Sequence, residues 1–541
     1  MTRRHVGAVV ALTLLAAALR LPTLDAARLW FDEAVTLSLL RMDLGAMLAQ
    51  IPRSESTPPL YYVLAWGWAR PFGAGEVVVR SLSAVASIAT VPVAYAAAAR
   101  LATRRIGLIV AALAAVSPLL VWHAQDARAY SLLVLLSAGS LLAFGRALDD
   151  PTPRRLAAWG LAAALALATH YFALFIVAGE AIWLLARHRA SRRVLATVGV
   201  PVLTGAALVP LAVAQRAHGG ASWIAEYEFG PRLVDLWPQL LAGYGAAPGP
   251  LWRASYEAGS PPGLTIAAAV LATAALVLAV VVVARPAPRP NVDTDPTSAA
   301  ERRGLAAAAT LALACVGIPV LLAFAGLDYV STRNLLPAWP VLGLAIAVGL
   351  GARRAGPVGA ALAVALCGVL TAVTITTAAS PRLGPDDWLP VARGLGGPGA
   401  QRVVMAPRSI SMPLALERPG LATLPAAGVR VEEIDILRRG GAARRSPAPG
   451  FRLVKRRTLG NSFTLARFRS RGPALVTPSG LLGDLSVRRR RNTAVLVAPT
   501  VSTLAAQRSD PPTISLCGQP PGDARSRLSI RTSCTAAYPG S

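Results

Sequence analysis

The feature that most limits the fold of this chain is a series of long apolar stretches that begins at Val6 and ends near Thr377. Each runs for about 20 residues, the length of helix that crosses the roughly 30 Å hydrocarbon core of a bilayer. The chain is 54% hydrophobic and only 15% charged, with a mean hydropathy of +0.51, which excludes an ordinary soluble protein. The sequence therefore predicts an α-helical polytopic membrane protein.

Eleven stretches have the length and composition of a membrane-spanning helix: residues 6–24, 78–99, 105–122, 130–146, 156–170, 171–186, 194–214, 262–284, 304–326, 335–352 and 356–378. If each crosses once, the arginines between them all fall on one side, within residues 3–4, 100–105, 146–155, 187–193, 285–303 and 353–354. Short basic loops stay in the cytoplasm. We therefore expect a multi-pass protein of the cell membrane with a cytoplasmic N-terminus and an extracytoplasmic C-terminal region.

One further apolar segment, "PPLYYVLAWGWARPFG" (Pro58–Gly73), offers only about a dozen residues before Arg70, which is short for a crossing. If this segment crossed the membrane, the arginine-rich loops that follow it would lie on the opposite side from the N-terminus. Its aromatic residues are typical of the membrane interface. We expect a helix on the outer face, within an outer loop at residues 25–77.

The formal net charge is +27 at pH 7, and Lys455 is the one lysine. Nucleic acid is the usual partner of so basic a chain. Here the arginines lie in membrane loops and in an exported region, so we expect membrane lipids and no nucleic acid as partners. The four cysteines show no Cys/His spacing typical of a metal site.

Polar groups collect in the predicted outer loops. The first loop carries Asp32, Glu33 and Glu55, the second is "HAQDARAY" (His123–Tyr130), and a later one is "DYVSTRN" (Asp328–Asn334). Charged groups near a bilayer cost free energy unless they pair or serve a function. The outer face is therefore the expected place of a functional site.

The order of these segments resembles the GT-C glycosyltransferases, and in particular the bacterial branch related to protein O-mannosyltransferases and aminoarabinose transferases. An Asp-Glu pair is followed by "STPPLYYVL", Arg80, "SPLLVWHAQDARAYSLL" and "THYFALF". The third of these is similar to the branch's SPF-x-x-W-x-x-QEAR-x-Y segment, with Asp126 where Glu is usual. "DDWLPVARGL" (Asp386–Leu395) is similar to the segment that opens the exported domain, so the resemblance covers roughly residues 1–400.

The resemblance implies an enzyme that transfers a sugar, frequently mannose, from a polyprenyl-phosphate donor to an acceptor hydroxyl on the outer face. The acceptor is a protein, a glycolipid or a polysaccharide. Inversion at the anomeric carbon is also implied by the family. Such a reaction needs a carboxylate base for the acceptor proton and cationic groups for the phosphate leaving group.

Asp32 is the candidate base, and Glu33 is expected to assist it as a metal ligand or by binding the acceptor. Adjacent residues on a helix point about 100° apart, so the two serve different roles unless they lie at a helix start. The structural alternative for Asp32 is the N-cap of a helix from Glu33 to Ala49, since Asp is a favoured cap. A divalent cation held by Asp32, Glu33 and His123 is left open.

Arg128 is the candidate phosphate clamp, because the planar guanidinium binds two oxygens at once. Its structural alternative is a pair with Asp126 or a side chain that snorkels to the headgroups. Gln125 and Tyr130 are candidates to hydrogen-bond the same phosphate or the sugar, as is His123.

Three further residues are candidates for the donor site. Arg333 is expected to supply a second cation, or else to pair with Asp328. His170, beside Tyr171, contacts the donor or only anchors the chain at the interface. Arg80 starts a span on the outer side and binds an anion or snorkels.

The chain divides into three predicted parts: a transmembrane catalytic domain at residues 1–379, a small extracytoplasmic α/β domain at 380–470, and a basic, Pro/Ser-rich, partly disordered tail at 471–541. "QRVVMAPRSISMPLALERPG" predicts a strand, a loop and a helix. "FRLVKRRTLGNSFTLARFRS" predicts two strands joined by a Gly-Asn turn. Cys517 and Cys534, in the tail, are able to pair if exported.

Two other classes of function compete with the enzyme. A transporter or lipid flippase places acids midway through its spans and often shows repeated halves, whereas the acids here cluster at one face. A non-catalytic membrane scaffold would tolerate loss of Asp32.

Overall fold

The computed structural model describes residues 3–26, 29–219, 221–243, 262–284, 296–379, 389–396, 401–418, 420–439, 445–459, 463–483 and 493–498. The predicted turn at Gly460 and Asn461, residues Asp386–Trp388, Cys517 and Cys534 lie outside these ranges.

The first part of the chain is built from helices. They are α1 (Arg3–Arg20), α2 (Phe31–Leu40), α3 (Leu44–Ser54), α4 (Leu60–Phe72), α5 (Glu76–Leu101), α6 (Arg104–Val116), α7 (Pro118–Ala124), α8 (Tyr130–Asp149), α9 (Pro153–Thr169), α10 (Ala173–Arg187), α11 (Arg192–Ala217), α12 (Phe229–Ala242), α13 (Pro262–Ala284), α14 (Pro296–Ala312), α15 (Ile318–Phe324), α16 (Trp339–Gly351) and α17 (Gly356–Ala379).

Each of the predicted spans contains a helix, which confirms the predicted helical membrane class. Among the described residues, six helices are long and apolar enough to cross a membrane, or seven if the bent pair α6 and α7 is one span. The count of eleven crossings therefore stays a prediction. The segment after Pro58 forms α4, a helix of 13 residues.

The bend of 54° between α6 and α7 has a local cause and a distant support. Pro118 has no N–H to donate to the carbonyl of Ala114 four residues earlier. The fully buried guanidinium of Arg20 supplies the missing donors, at 2.8 Å to the Ala114 carbonyl and 2.8 Å to that of Ala115. Its Nε also donates to Ser87 Oγ at 2.9 Å. The end of α1 thus fixes the direction of α7, which leads into the second outer loop.

Helices α13 and α16 approach each other very closely at Gly349. A Cβ atom at that position would lie 1.8 Å from the carbonyl oxygen of Ala275. Small residues allow this kind of backbone contact between helices within a membrane, where packing rather than water drives association. The short helix α16 is buried along almost its whole length as a result.

The expectation that the acids stay at one face is wrong at Glu180. This residue lies in the middle of α10 with none of its surface exposed. Its carboxylate accepts hydrogen bonds from Trp159 Nε1 at 2.8 Å and from Ser140 Oγ, so it links α10 to α9 and α8. A polar group buried in an apolar setting requires such partners.

The C-terminal part contains a six-stranded mixed sheet in the order β2-β6-β1-β3-β5-β4, in which β1 and β3 are parallel. Its elements are α18 (Leu389–Gly394), β1 (Arg402–Pro407), α19 (Arg408–Glu417), β2 (Ala422–Thr423), β3 (Val429–Arg439), β4 (Arg452–Leu459), β5 (Phe463–Val476), α20 (Pro478–Leu482) and β6 (Thr493–Ala498). The predicted strand β1, helix α19 and antiparallel pair β4 and β5 are confirmed, but α19 begins directly after β1, without the predicted loop between them.

The predicted boundary at residue 470 is wrong, because it falls inside β5. Strand β6 also lies in the predicted tail, and it pairs with both β1 and β2. The arginine run at 488–491 suggested disorder, but the apolar segment "TAVLVA" that follows buries Val495 and Leu496 in the sheet. Burial of those side chains stabilises pairing that the charge run alone does not predict.

We expect Gly349→Ala to destabilise the protein by about 1–3 kcal/mol, because the added methyl forces α13 and α16 apart. The measurement is thermal unfolding of the purified protein in detergent, followed by tryptophan fluorescence. Gly368→Ala in α17 is the matched control, since a Cβ there meets no atom within 4 Å. Equal stability of the two variants would contradict the close contact.

Candidate functional site

The two adjacent acids lie in the first turn of α2. This helix begins at Phe31, so Trp30 is its N-cap, and the alternative in which Asp32 caps the helix is wrong. The helix also ends at Leu40 instead of continuing to residue 49, because Asp43 caps a separate helix, α3, by accepting from the Ala46 N–H at 2.8 Å.

Glu33 is held by Arg80 of α5. Arg80 Nε donates to Glu33 Oε1 at 2.7 Å and Nη2 donates to Oε2 at 2.6 Å, and both side chains are about 1–2% exposed. This is the two-pronged geometry that makes arginine a strong carboxylate partner. The expectations that Arg80 binds an external anion or snorkels to headgroups are therefore wrong.

The carboxylate of Glu33 has further partners. The Ala127 N–H donates to Oε1 at 2.9 Å, and the Trp30 N–H donates to Oε2 at 3.3 Å. Glu33 thereby connects α2, α5 and the second outer loop. With both oxygens engaged and the side chain buried, it positions the neighbouring residues.

Asp32 has a different environment although it is the adjacent residue. Its side chain is 24% exposed, and Oδ2 accepts from Arg333 Nη1 at 3.2 Å. No described residue donates to Oδ1. The carboxylate is therefore oriented by one cation while an oxygen remains accessible to a ligand.

The pairing of Arg333 differs from the alternative in which Asp328 is its partner. Asp328 pairs instead with Arg232 of α12, whose Nη1 lies 3.1 Å from Oδ1. Arg232 also donates to the Val330 carbonyl at 2.6 Å, and Thr332 donates to Gln239 at 2.6 Å. Helix α12 thus fixes the loop that carries Arg333, and the sequence analysis missed this role.

Arg128 pairs with Glu55, at 2.8 Å from Nη1 to Oε2, and not with Asp126. The same nitrogen lies 3.4 Å from Thr36 Oγ1 and 3.5 Å from the carbonyl of Asp32. The ring of Tyr62 lies 5.8 Å from the guanidinium carbon. Arg128 Nε is buried without a hydrogen-bond partner among the described residues.

Glu55 is the second member of this pair, and its role was missed in the sequence. Tyr62 donates to Oε2 at 2.6 Å, while Oε1 is buried and unpartnered within the described part of the chain. Burial raises the pKa of Glu55, and the Arg128 guanidinium opposes that rise. The motif "ESTPPLYY" gave a signal, because it places an acid and a tyrosine on the two sides of a proline turn.

His123, Tyr130 and His170 form a buried row beside the arginines. The ring centroids of His123 and Tyr130 are 4.7 Å apart, and those of Tyr130 and His170 are 6.1 Å apart. His170 is 3% exposed, which contradicts a role as an interfacial anchor.

The remaining candidates have partners within the protein. Gln125 donates its amide to Thr23 Oγ1. Asp126 accepts from Trp30 Nε1 at 3.0 Å, and its Oδ2 lies 3.6 Å from His123 Nδ1. The bonds of Gln125 to Thr23 and of Trp30 to Asp126 fasten the second outer loop to the segment between α1 and α2.

The ligand set of Asp32, Glu33 and His123 does not fit a divalent cation. Both oxygens of Glu33 are occupied by Arg80, and a cation there would face the guanidinium. Throughout the described residues, no group of three His, Cys, Asp or Glu side chains converges as metal ligands.

The C-terminal sheet reaches this site through α19, which packs against α2. Met412 of α19 is buried in the same apolar cluster as Ala34 and Val35 of α2, and Leu416 packs against that cluster. The helix that carries Asp32 is therefore supported from the C-terminal part as well as from α5.

Comparison with known proteins finds one family model that matches part of this arrangement. Residues 56–215 match the model of the dolichyl-phosphate-mannose-protein mannosyltransferase family. The matched segment includes Arg80, Arg128 and His170, and the match confirms the resemblance to the GT-C glycosyltransferases. Among curated proteins, none is significantly similar to the chain.

Several solved structures are similar. The Archaeoglobus fulgidus oligosaccharyltransferase tethered with an acceptor peptide is 12% identical, with a TM-score of 0.43 over 72% of this chain and 57% of that one. The S. cerevisiae protein O-mannosyltransferase complex bound to the sugar donor is 19% identical, with a TM-score of 0.31 over 40% and 33%. ArnT from Cupriavidus metallidurans is 14% identical, with a TM-score of 0.37 over 85% and 98%. The chain spans little more than half the length of the oligosaccharyltransferase.

We expect Glu33→Gln to cost about 3–5 kcal/mol of stability, because it leaves the buried Arg80 without a counter-charge. Asp32→Asn, the matched change at the adjacent and partly exposed acid, should cost less than about 1 kcal/mol. Thermal unfolding of both purified variants measures the difference. Equal, small losses would show that Glu33 does not hold α2 in place.

Proposed function

We propose that this chain is a membrane glycosyltransferase that moves a sugar from a polyprenyl-phosphate donor to an acceptor hydroxyl at the outer face of the cell membrane. Asp32 is the proposed general base. The observation that carries the proposal is a partly exposed carboxylate 3.2 Å from Arg333 and close to Arg128, beside a buried Glu33 whose two oxygens are both occupied by Arg80. The match of residues 56–215 to a mannosyltransferase family supports the reaction class.

The base must accept a proton from the acceptor hydroxyl as its oxygen attacks the anomeric carbon. Asp32 suits this role because Oδ1 has no donor among the described residues and the side chain is partly exposed. Glu33 is buried and both of its oxygens accept hydrogen bonds, so we propose that it positions the neighbouring residues. Its bond to the Ala127 N–H holds the second outer loop beside Asp32.

The departing phosphate gains negative charge as the sugar leaves, and it needs cations that already face it. Arg128 and Arg333 both lie against Asp32, at 3.5 Å from its carbonyl and 3.2 Å from its carboxylate. The buried Nε of Arg128 is a donor that a phosphate oxygen would satisfy. These two arginines are therefore the proposed phosphate ligands.

Glu55 must release Arg128, at least in part, for the phosphate to bind. A buried carboxylate that loses its cation takes up a proton more readily, and burial already raises the pKa of Glu55. We propose that Glu55 keeps Arg128 paired in the absence of the donor. When the phosphate takes its place, Tyr62 still donates to Glu55, so the displaced carboxyl is not stranded.

The proposed sugar rests on the description of the matched family, and the proposed orientation rests on the distribution of arginines. Mannose is the proposed sugar, and a protein, glycolipid or polysaccharide is the proposed acceptor. The site lies at the extracytoplasmic face if the basic loops are cytoplasmic. The catalytic groups lie within residues 1–379, and the sheet that supports α2 is extracytoplasmic in this arrangement.

One observation favours a transporter, namely the acid in mid-span at Glu180. Ser140 and Trp159 hold that carboxylate within the bundle, and none of its surface is accessible. A substrate or coupling ion needs access to such a group. We therefore retain the enzyme as the proposal.

We expect Asp32→Asn to lower sugar transfer by roughly 10²- to 10⁴-fold, because asparagine cannot accept the acceptor proton. The assay is transfer from radiolabelled polyprenyl-phosphate mannose in membranes that hold equal amounts of protein. Asp43→Asn is the matched control in the same loop, since asparagine caps a helix as well as aspartate does.

Full transfer by Asp32→Asn would remove Asp32 from catalysis. If the wild-type protein is inactive with mannose, other polyprenyl-phosphate sugars are tested with the same pair of variants. Inactivity with every donor would contradict the proposed reaction.

We expect Arg128→Gln to lower kcat/KM for the donor by roughly 10²- to 10³-fold, the usual effect of losing a preorganised donor to a developing anion. The double variant Arg128→Gln with Glu55→Gln separates this effect from misfolding, because it leaves neither buried charge unpaired. It should unfold near the wild-type temperature and remain inactive. Arg53→Gln, at an exposed arginine in the first outer loop near Glu55, is the control. Recovery of activity in the double variant would show that Arg128 serves only to neutralise Glu55.

A further inference from the structure

A second charged site lies at the other end of the bundle. A cavity of about 390 Å³ is lined by Arg100, Arg146 and Arg155. They come from the last turn of α5, the last turns of α8 and the first turn of α9. Arg80 and Arg100 on α5 are 20 residues apart in sequence, or about 30 Å along a helix. The cavity is therefore a full membrane thickness away from Asp32.

The cavity keeps a positive charge after its internal pairs are counted. Asp149 pairs with Arg100 and with Arg303 of α14, at 3.1 Å for the second pair. Asp150 pairs with Arg155 at 2.7 Å. The three arginines of the cavity and the neighbouring Arg303 thus have two carboxylates among them.

These ion pairs bind the arginines only weakly. Arg100 and Arg155 are 38% and 41% exposed, and Asp149 and Asp150 are 32% and 52% exposed. Exposed pairs of this kind contribute little because water screens them. A doubly charged anion such as phosphate therefore competes well with Asp149 and Asp150 for the same guanidinium groups.

Arg146 distinguishes this cluster from ordinary pairs at a helix end. It is exposed, and no described carboxylate lies within ion-pair distance of it. Its position on α8 places its charge beside Arg100 and Arg155 at the lining of the cavity. One cation thus remains available for a ligand without breaking any existing pair.

We infer that this cavity binds a phosphate group, carried either by an anionic lipid headgroup or by a small soluble phosphate. Planar guanidinium groups from three helices match the oxygens of a phosphate. Basic pockets between membrane helices on the cytoplasmic side bind anionic headgroups. The cavity is larger than a bare phosphate, so it also accommodates the rest of a headgroup. This site is independent of the proposed sugar transfer.

The test uses the full-length protein purified in a neutral detergent, with unfolding followed by tryptophan fluorescence. Short-chain phosphatidylglycerol, short-chain phosphatidylcholine and inorganic phosphate are titrated separately. Phosphatidylglycerol alone should raise Tm in a saturable way if a headgroup is the ligand. A rise with inorganic phosphate as well would identify the phosphate group itself as sufficient, and either pattern supports the site.

Arg146→Gln should weaken the apparent affinity at least fivefold in whichever arm responds, and Arg146→Lys should restore part of it. The control is Arg193→Gln, an exposed arginine near the start of α11. The N-terminal halves of α9 and α11 pack together, because a Cβ on Gly160 would lie 3.1 Å from Thr197, so Arg193 lies at the same end of the bundle as Arg155. Equal responses to phosphatidylglycerol and phosphatidylcholine with none to phosphate would overturn the inference, as would equal weakening by Arg193→Gln.

Discussion

The ion pair between Glu33 and Arg80 fixes the geometry on which the rest of the candidate site depends. It joins α2 to α5, and the Ala127 N–H ties the second outer loop to the same carboxylate. Both side chains are buried, so the pair is strong only while both partners and their hydrogen bonds are present. Because Glu33 is turned toward α5, the adjacent Asp32 is turned away from it and stays partly exposed.

The other charges at this face differ in how completely they are satisfied. Glu33 uses both oxygens, whereas Glu55 and Arg128 each keep a buried polar atom without a described partner. Such atoms carry a desolvation cost that a ligand can relieve. The proposed phosphate would therefore gain most at this incompletely satisfied pair. Arg333 adds a second cation there because α12 fixes its loop through Arg232 and Gln239.

Helices α5 and α8 connect the two charged regions of the protein. At one end they carry Arg80 and Tyr130 beside the candidate catalytic site. At the other end they carry Arg100 and Arg146 around the proposed phosphate cavity. Between these ends, the buried Arg20 donates to two backbone carbonyls, and the buried Glu180 accepts from Trp159 and Ser140 through one of its two oxygens.

The sequence by itself determined the helical membrane class, the strands β1, β4 and β5, and the set of charged residues that gather around Asp32. These follow from local periodicity and composition, which are properties of short segments. Only the tertiary structure decided that Asp32 is partly exposed while Glu33 is buried, that Arg128 pairs with Glu55, and that β6 completes the sheet. Each of those outcomes depends on a partner far away in sequence, such as Arg80 for Glu33 or Arg333 for Asp32. Side-chain pairing over such separations is set by how the helices pack, and local sequence patterns carry no record of it.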